Sequence, residues 1–252
     1  AQAHGATYRG KKVGTLGNVG AFSFCQSKTF TTGGEGGCVI TDDEDVAWIC
    51  RSFRDHGYDV SARMALLELE AKLPYIHNMV GFNFRMTEMQ AAIGLAQLEN
   101  VKGYIEEYQK AYGHLSAALE GCAWLQPRAI KEGCGNSPYI FSFLYRGDEH
   151  GIDMDAFKQG LFETGDLWNI GFTQVPAYKY KFFTHPLAYQ DKGCPTHGCP
   201  YYKGSYEYKD GLCPTAEAIL PRLVNTNCMI SEENAKRVAE GLRKAIETGE
   251  KG

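Results

Sequence analysis

Residues 23–37 read SFCQSKTFTTGGEGG and hold one lysine, Lys28, among hydroxyls and glycines. A lysine that forms a Schiff base needs a fixed stem, so that its amine meets a carbonyl carbon repeatedly, and it needs that amine free to act as nucleophile and then as proton carrier. Ser23 and Ser27 place hydroxyls close by. Hydroxyls and backbone N–H groups in tight turns are the usual means of holding a phosphate. Gly33, Gly34, Gly36 and Gly37 let the backbone come near such a group. The stretch matches neither the G-x-x-x-x-G-K-S/T phosphate loop nor the G-x-G-x-x-G dinucleotide fingerprint. Taken locally, the same residues also describe a surface lysine beside a simple turn.

A second cluster has ligand chemistry. Cys194-Pro-Thr-His-Gly-Cys199 carries His197 between two thiols, and Cys213 or His185 would complete a set of four zinc ligands. The spacings fit no standard zinc pattern, so the reading is a loop with incidental thiols and no metal.

The elements that must position Lys28 are legible around it. The runs VGAFSF (19–24) and GCVIT (37–41) are apolar, bounded by glycine, and predict two strands. Thr41 to Glu44 reads as a capping box, and Val46, Ile49, Cys50 and Phe53 recur at helical spacing, so a helix is predicted over 42–55 with Gly57 as its left-handed cap. His56 is then a helix-end residue. ARMALLELEAK (62–72) is a further helical stretch. A long stripe from Met89 through Ile93, Val101, Tyr108 and Leu115 predicts a helix over about 87–120. Residues 137–145 predict a strand and 153–163 a helix opened by Asp153, while 171–212 read as an extended loop. Ser231 opens a last helix whose Ala235, Val238, Ala239, Leu242 and Ile246 share one face, with Glu232 and Glu233 at its positive end. The domain boundary is placed at residue 115, giving units 1–115 and 116–252.

The totals exclude several classes. The chain has 252 residues, 44% hydrophobic and 22% charged, with a formal net charge of −4. That is ordinary globular composition without a nucleic-acid or membrane footprint, and no apolar run reaches the roughly 18 residues of a membrane span. Nine scattered cysteines read as reduced thiols in a cytoplasmic protein.

The order AQAHGA, GxxGxFSFxxxK, GEGGxxxT, an acidic helix ending in His56-Gly57, then VGFNFRMTEMQAAIGLAQLE resembles the DegT/DnrJ family of pyridoxal-phosphate-dependent sugar and cyclitol aminotransferases. The resemblance runs from residue 1 to about residue 120 and resumes more weakly at CPTAEAILPRLV and the final helix. It implies an α/β, fold-type-I transferase fold: the C-terminal part of the large domain followed by a smaller α+β domain. It implies pyridoxal 5'-phosphate as cofactor, Lys28 as its Schiff-base lysine, Ser23 on its phosphate and Gln2 beside its ring. Asn83 would reach the phosphate from a partner subunit, which makes a homodimer part of the site. Arg85, Tyr178 (in PAYKYKFF) and His4 are the candidate substrate-side residues. Some relatives carry histidine at the lysine position and dehydrate sugars; Lys28 points to amination. The implied reaction moves an amino group from glutamate or glutamine to a keto sugar, keto-sugar acid or cyclitol by ping-pong chemistry. SFCQSK followed by TTGGEGG is closer to the subgroup acting on cyclitols, aminohydroxybenzoate precursors and eight-carbon keto sugars than to that acting on nucleotide sugars.

The family's aspartate for the pyridinium nitrogen, and the aromatic residue that stacks on the ring, precede the AQAHG stretch. The expectation is therefore that an N-terminal part lies before Ala1 and that residues 1–252 alone are inactive. The alternative reading is a non-catalytic module that binds a sugar or a partner.

Overall fold

The computed structural model describes residues 1–62, 76–171, 175–184, 204 and 207–251. The expected helix over 62–72, beyond its first residue, and the cluster of His185, Cys194, His197 and Cys199 lie outside the described residues. Among the described residues the strands are β1 (Thr7–Tyr8), β2 (Lys11–Lys12), β3 (Val19–Ser23), β4 (Gly37–Thr41), β5 (Leu125–Pro127), β6 (Cys134–Gly135), β7 (Ile140–Tyr145), β8 (Asn169–Ile170) and β9 (Leu223–Asn227). The chain forms two compact units. The first comprises residues 1–111, 130–139 and 229–231, and the second comprises 112–129, 140–228 and 232–252.

In the first unit, β3 and β4 pair antiparallel with Val19 opposite Thr41 and Ser23 opposite Gly37. A Cβ on Gly37 would sit 2.6 Å from the Phe22 carbonyl oxygen, so the close approach of the two strands needs glycine there. A separate three-stranded sheet runs β2–β1–β6. The helix after β4 spans Glu44–Arg54. Its cap differs from the expected box. The Asp43 carboxylate accepts from the Val46 N–H at 3.0 Å, while Thr41 Oγ1 accepts from Asp43 N and donates to Asn18 O. Thr41 ends β4 and its hydroxyl is committed to the turn, so the helix starts later, at the carboxylate that complements its positive end. At the other end both His56 (φ 58°) and Gly57 (φ 75°) are left-handed. A Cβ on Gly57 would lie 1.8 Å from the Met79 carbonyl oxygen, so the helix end and residues 79–81 cross at backbone contact.

The long helix spans Glu88–Ala117. The Thr87 hydroxyl accepts from Gln90 N at 3.3 Å, and the Gln90 side-chain oxygen accepts from Thr87 N at 3.0 Å, closing a capping box. Its apolar stripe is divided. Ala111 and Leu115 are fully buried, whereas Met89, Ile93, Leu95 and Leu98 are exposed.

The second unit is a four-stranded antiparallel sheet, β5–β7–β9–β8, packed with the helices Met154–Glu163 and Glu232–Lys251. Alternation in β7 turns Phe141, Phe143 and Tyr145 into the core. Trp124, Phe157, Leu161, Val224 and Leu242 of the same unit are buried as well. Phe157 stands edge-on to Trp124 at 4.9 Å between ring centroids. Asp153 caps its helix through Asp155 N and Ala156 N, as the sequence predicts. β7 begins at Ile140 rather than 137, because residues 134–139 are tied into the first unit. No helix among the described residues is long and apolar enough to cross a membrane, and no group of side chains there could hold a metal ion. Cys213, the described member of the expected cluster, is a free, exposed thiol.

Candidate active site

Lys28 stands in the connection between β3 and β4, and that connection is closed on itself. Phe24 N donates to Gly36 O at 2.7 Å, Thr32 N and Thr31 Oγ1 both donate to Phe24 O, and Gly33 N donates to Thr31 Oγ1. Lys28 N donates to Cys25 O at 2.9 Å, which makes residues 25–28 a tight turn. Thr29 and Phe30, next in the chain, are buried. The lysine stem is thus anchored on both sides, as a residue that must present its amine repeatedly at one place requires. The half-buried amine comes to rest 4.9 Å from the centroid of the Tyr139 ring, over its face.

Ser23 closes β3. Its hydroxyl oxygen accepts from Cys25 N at 3.3 Å, which fixes the rotamer, and its own proton has no acceptor among the described residues. Ser27 lies 3.6 Å from the Cys25 sulfur and is exposed.

His4 is the buried polar residue of this region, 5% exposed. Its ring lies among Phe22, Phe24 and Phe30, at 5.2, 6.3 and 5.1 Å between centroids. Neither ring nitrogen has a hydrogen-bond partner among the described residues. Burial lowers its pKa, and neighbouring positive charge, Lys28 included, adds to the effect, so the imidazole is neutral at pH 7. Its carbonyl accepts from the Ser137 hydroxyl. Gln2 is exposed two residues earlier in the same segment.

Asn83 and Arg85 belong to a different substructure. Phe82 N donates to Phe53 O and Phe84 N to Arg54 O, so residues 82–85 lie along the end of helix Glu44–Arg54. Asn83 is exposed and pairs with Asp55 through the backbone. The Arg85 guanidinium meets the Asp55 carboxylate at 2.6 Å, a partly exposed ion pair. Tyr178 lies in the second unit. It is buried, and its hydroxyl donates to Glu217, which also accepts from Gly211 N and Cys213 N. Burial and the Glu217 carboxylate push the Tyr178 pKa up, and the same hydrogen bond pulls that of Glu217 down. The phenol therefore spends its proton within its own unit. A groove of about 770 Å³ lies along the hairpin and helix Glu44–Arg54, lined by residues such as Ala21, Val39, Cys50, Arg54 and Phe84; Lys28 is not among its walls.

The structure thus brings Lys28, Ser23 and His4 into one region and adds Tyr139, which sequence reasoning missed. Tyr139 gave no local signal: it sits at the start of an apolar strand run, far along the chain from Lys28.

Comparison with known proteins gives this geometry a class. The aminotransferase from Psychrobacter cryohalolentis superposes with a TM-score of 0.74 at 25% identity, over 96% of this chain and 59% of that one. The fold is that of fold-type-I pyridoxal-phosphate-dependent transferases. The sequence profile of the DegT/DnrJ/EryC1/StrS aminotransferase family matches residues 1–196, and the chain belongs to that family. It is 40% identical over 185 residues to a GDP-perosamine synthase of Vibrio cholerae, covering 73% of this chain and 46% of that protein. A GDP-perosamine synthase of Caulobacter vibrioides is 46% identical over 113 residues, covering 45% of this chain and 27% of that protein. The chain spans at most about half the length of the curated relatives it matches first.

The family's cofactor is pyridoxal phosphate. The residues present fit such a group. One primary amine, at Lys28, is held on a rigid turn, and the Ser23 hydroxyl keeps a proton to donate.

Proposed function

We propose that the protein is a pyridoxal-phosphate-dependent aminotransferase that transfers an amino group from an amino-acid donor to a keto sugar. The observation that carries this reading is the closed turn that fixes Lys28, within a chain of this family. When bound, pyridoxal phosphate supplies the aldehyde that carries the amino group and the electron sink that lets a donor α-proton leave. Lys28 would hold the cofactor through Nζ, and the same amine, when free, would carry the donor proton. Ser23, through its hydroxyl, and Gln2 would help to hold the cofactor, Ser23 at its phosphate and Gln2 at its ring. Asn83, exposed on its own segment, would help to hold the phosphate of a second subunit, and the working unit would then be a homodimer. Arg85 and His4 remain candidates on the substrate side. For Tyr178 that role requires exchanging its bond to Glu217. The donor is glutamate or glutamine, and the two half-reactions share one site in ping-pong order. Relatives named as GDP-perosamine synthases favour a nucleotide-linked keto sugar as acceptor, which revises the leaning toward cyclitols and eight-carbon sugars.

The test uses the protein at its natural length. Pyridoxal phosphate is added, the complex is reduced with borohydride, and the adduct is mapped by mass spectrometry. The adduct should fall on Lys28. Lys28→Ala should abolish amine transfer from glutamate to a nucleotide-linked keto sugar, a loss of at least about a thousandfold for a nucleophile that is also the proton carrier. Transfer at the wild-type rate in that variant would sink the assignment.

A further inference from the structure

Residues 130–139 belong to the first unit although the chain on both sides of them belongs to the second. The segment is fastened there at successive points. Cys134 and Gly135 form β6, opposite Tyr8 and Thr7 of β1. The Asn136 carbonyl accepts from the Gln109 side-chain amide at 2.9 Å, and the Ser137 hydroxyl donates to the carbonyl of His4. Ser137 and Pro138 are buried. Two residues after the Ser137 bond, Tyr139 lays its ring against the Lys28 amine. Four consecutive attachments ahead of one aromatic contact fix where that ring stands.

We propose that Tyr139 is a positioning residue for Lys28: residues 134–139 form a strap whose purpose in this unit is to hold the Tyr139 ring under the lysine amine. The strap works with Lys28 as the cofactor lysine and so rests on the function proposed above. An aromatic face attracts a cation through its quadrupole. That attraction gives Nζ one preferred place at the end of a flexible four-carbon stem, and the ring also blocks approach from its own side. Without the ring the stem keeps its anchored backbone but its amine samples more positions, and less of the time is spent where a cofactor aldehyde is met. The condensation would balance without any further reactant: the ammonium gives one proton to water, the freed amine nitrogen bonds to the aldehyde carbon, and the carbonyl oxygen leaves as water with the two remaining amine protons. The hydroxyl of Tyr139 has no part in this, so phenylalanine should serve as well.

The experiment compares wild type, Tyr139→Phe, Tyr139→Leu and a series with increasingly fluorinated phenylalanine at position 139, all at natural length. Fluorination preserves the ring's shape and weakens its quadrupole, which a purely packing role would not register. Two readouts are taken. In the absence of cofactor, Lys28 is labelled with acetic anhydride at fixed pH and the rate read by mass spectrometry, with the exposed Lys12 as internal control. Separately, pyridoxal phosphate is titrated by absorbance and trapped with borohydride. Tyr139→Phe should match wild type in both. Tyr139→Leu and the most fluorinated ring should label Lys28 faster and weaken half-saturation by pyridoxal phosphate about 2- to 30-fold, the range that a cation–aromatic contact spans, with Lys12 unchanged. Wild-type labelling rates across the fluorinated series would overturn the proposal. If wild type traps no adduct on Lys28, the function proposed above fails, while the cofactor-free labelling still decides the Tyr139 contact.

Discussion

In the second unit Phe141, Phe157 and Leu242 are fully enclosed, while in the first unit Val39, Phe84 and Met89 are 48%, 64% and 77% exposed. The two units are ordered by different means. The second has an antiparallel sheet with two helices and a continuous aromatic core, in which Trp124, Tyr145 and Phe157 touch one another. Its apolar burial accounts for its form. The first is ordered by backbone bonds that close loops: the turn at Lys28, the crossing at Gly57 and the strap at 134–137. Where function needs one side chain in one place, a loop closed by its own hydrogen bonds does what a core does elsewhere.

The contrast breaks most easily at Phe157. Truncation to alanine removes a ring that is fully buried against Trp124, Phe143 and Tyr145. Phe157→Ala should cost about 3–5 kcal/mol of unfolding free energy in a denaturant titration. A cost below about 1 kcal/mol would mean that the second unit does not depend on this core.

His4 sharpens the other side, because it is a polar ring enclosed in the first unit. Its folded pKa is lowered, by burial first, so the unfolded chain binds its proton more readily. Stability from this residue is whole above the unfolded histidine pKa of about 6.5 and falls as the pH drops below it. Measured between pH 7.5 and 5, the unfolding free energy should decline, and His4→Phe should flatten the decline. The substitution also removes two ring nitrogens that have no partner among the described residues, so it should leave neutral-pH stability near wild type. An unchanged pH slope in His4→Phe would assign the acid sensitivity to other groups.

Much of this was readable in advance where the signal is local. β3, β4 and the helices Glu44–Arg54, Glu88–Ala117, Met154–Glu163 and Glu232–Lys251 follow from period and glycine punctuation, and the last two bury the face that their spacing sets. Lys28 and Ser23 fall close together because the end of β3 and the turn after it adjoin in the chain, while the roles proposed for them rest on the family resemblance. β9, LVNTN, was missed because its buried Asn225 and Thr226 look like loop residues in a list of letters. β1, β2 and β6 were missed because two residues carry no period. The ion pair of Arg85 with Asp55, and the place of Tyr139 under Lys28, depend on segments that meet only after folding. Nothing in the spacing of residues 130–139 says that they leave one unit to serve the other.

The long helix offers the finest division of the two regimes, because one element takes part in both. Leu115, near its end, is fully buried, and Met89, near its start, is 77% exposed. Met89→Ala removes a side chain that has little to lose in packing and replaces it with the better helix former. The change in unfolding free energy of the protein at natural length should stay within about 0.5 kcal/mol, as for exposed positions generally. A cost of about 2 kcal/mol or more would show that this face is covered in the assembled protein. The first unit would then owe its order to apolar burial like the second, and the contrast drawn from the two cores would fail at its weakest point first.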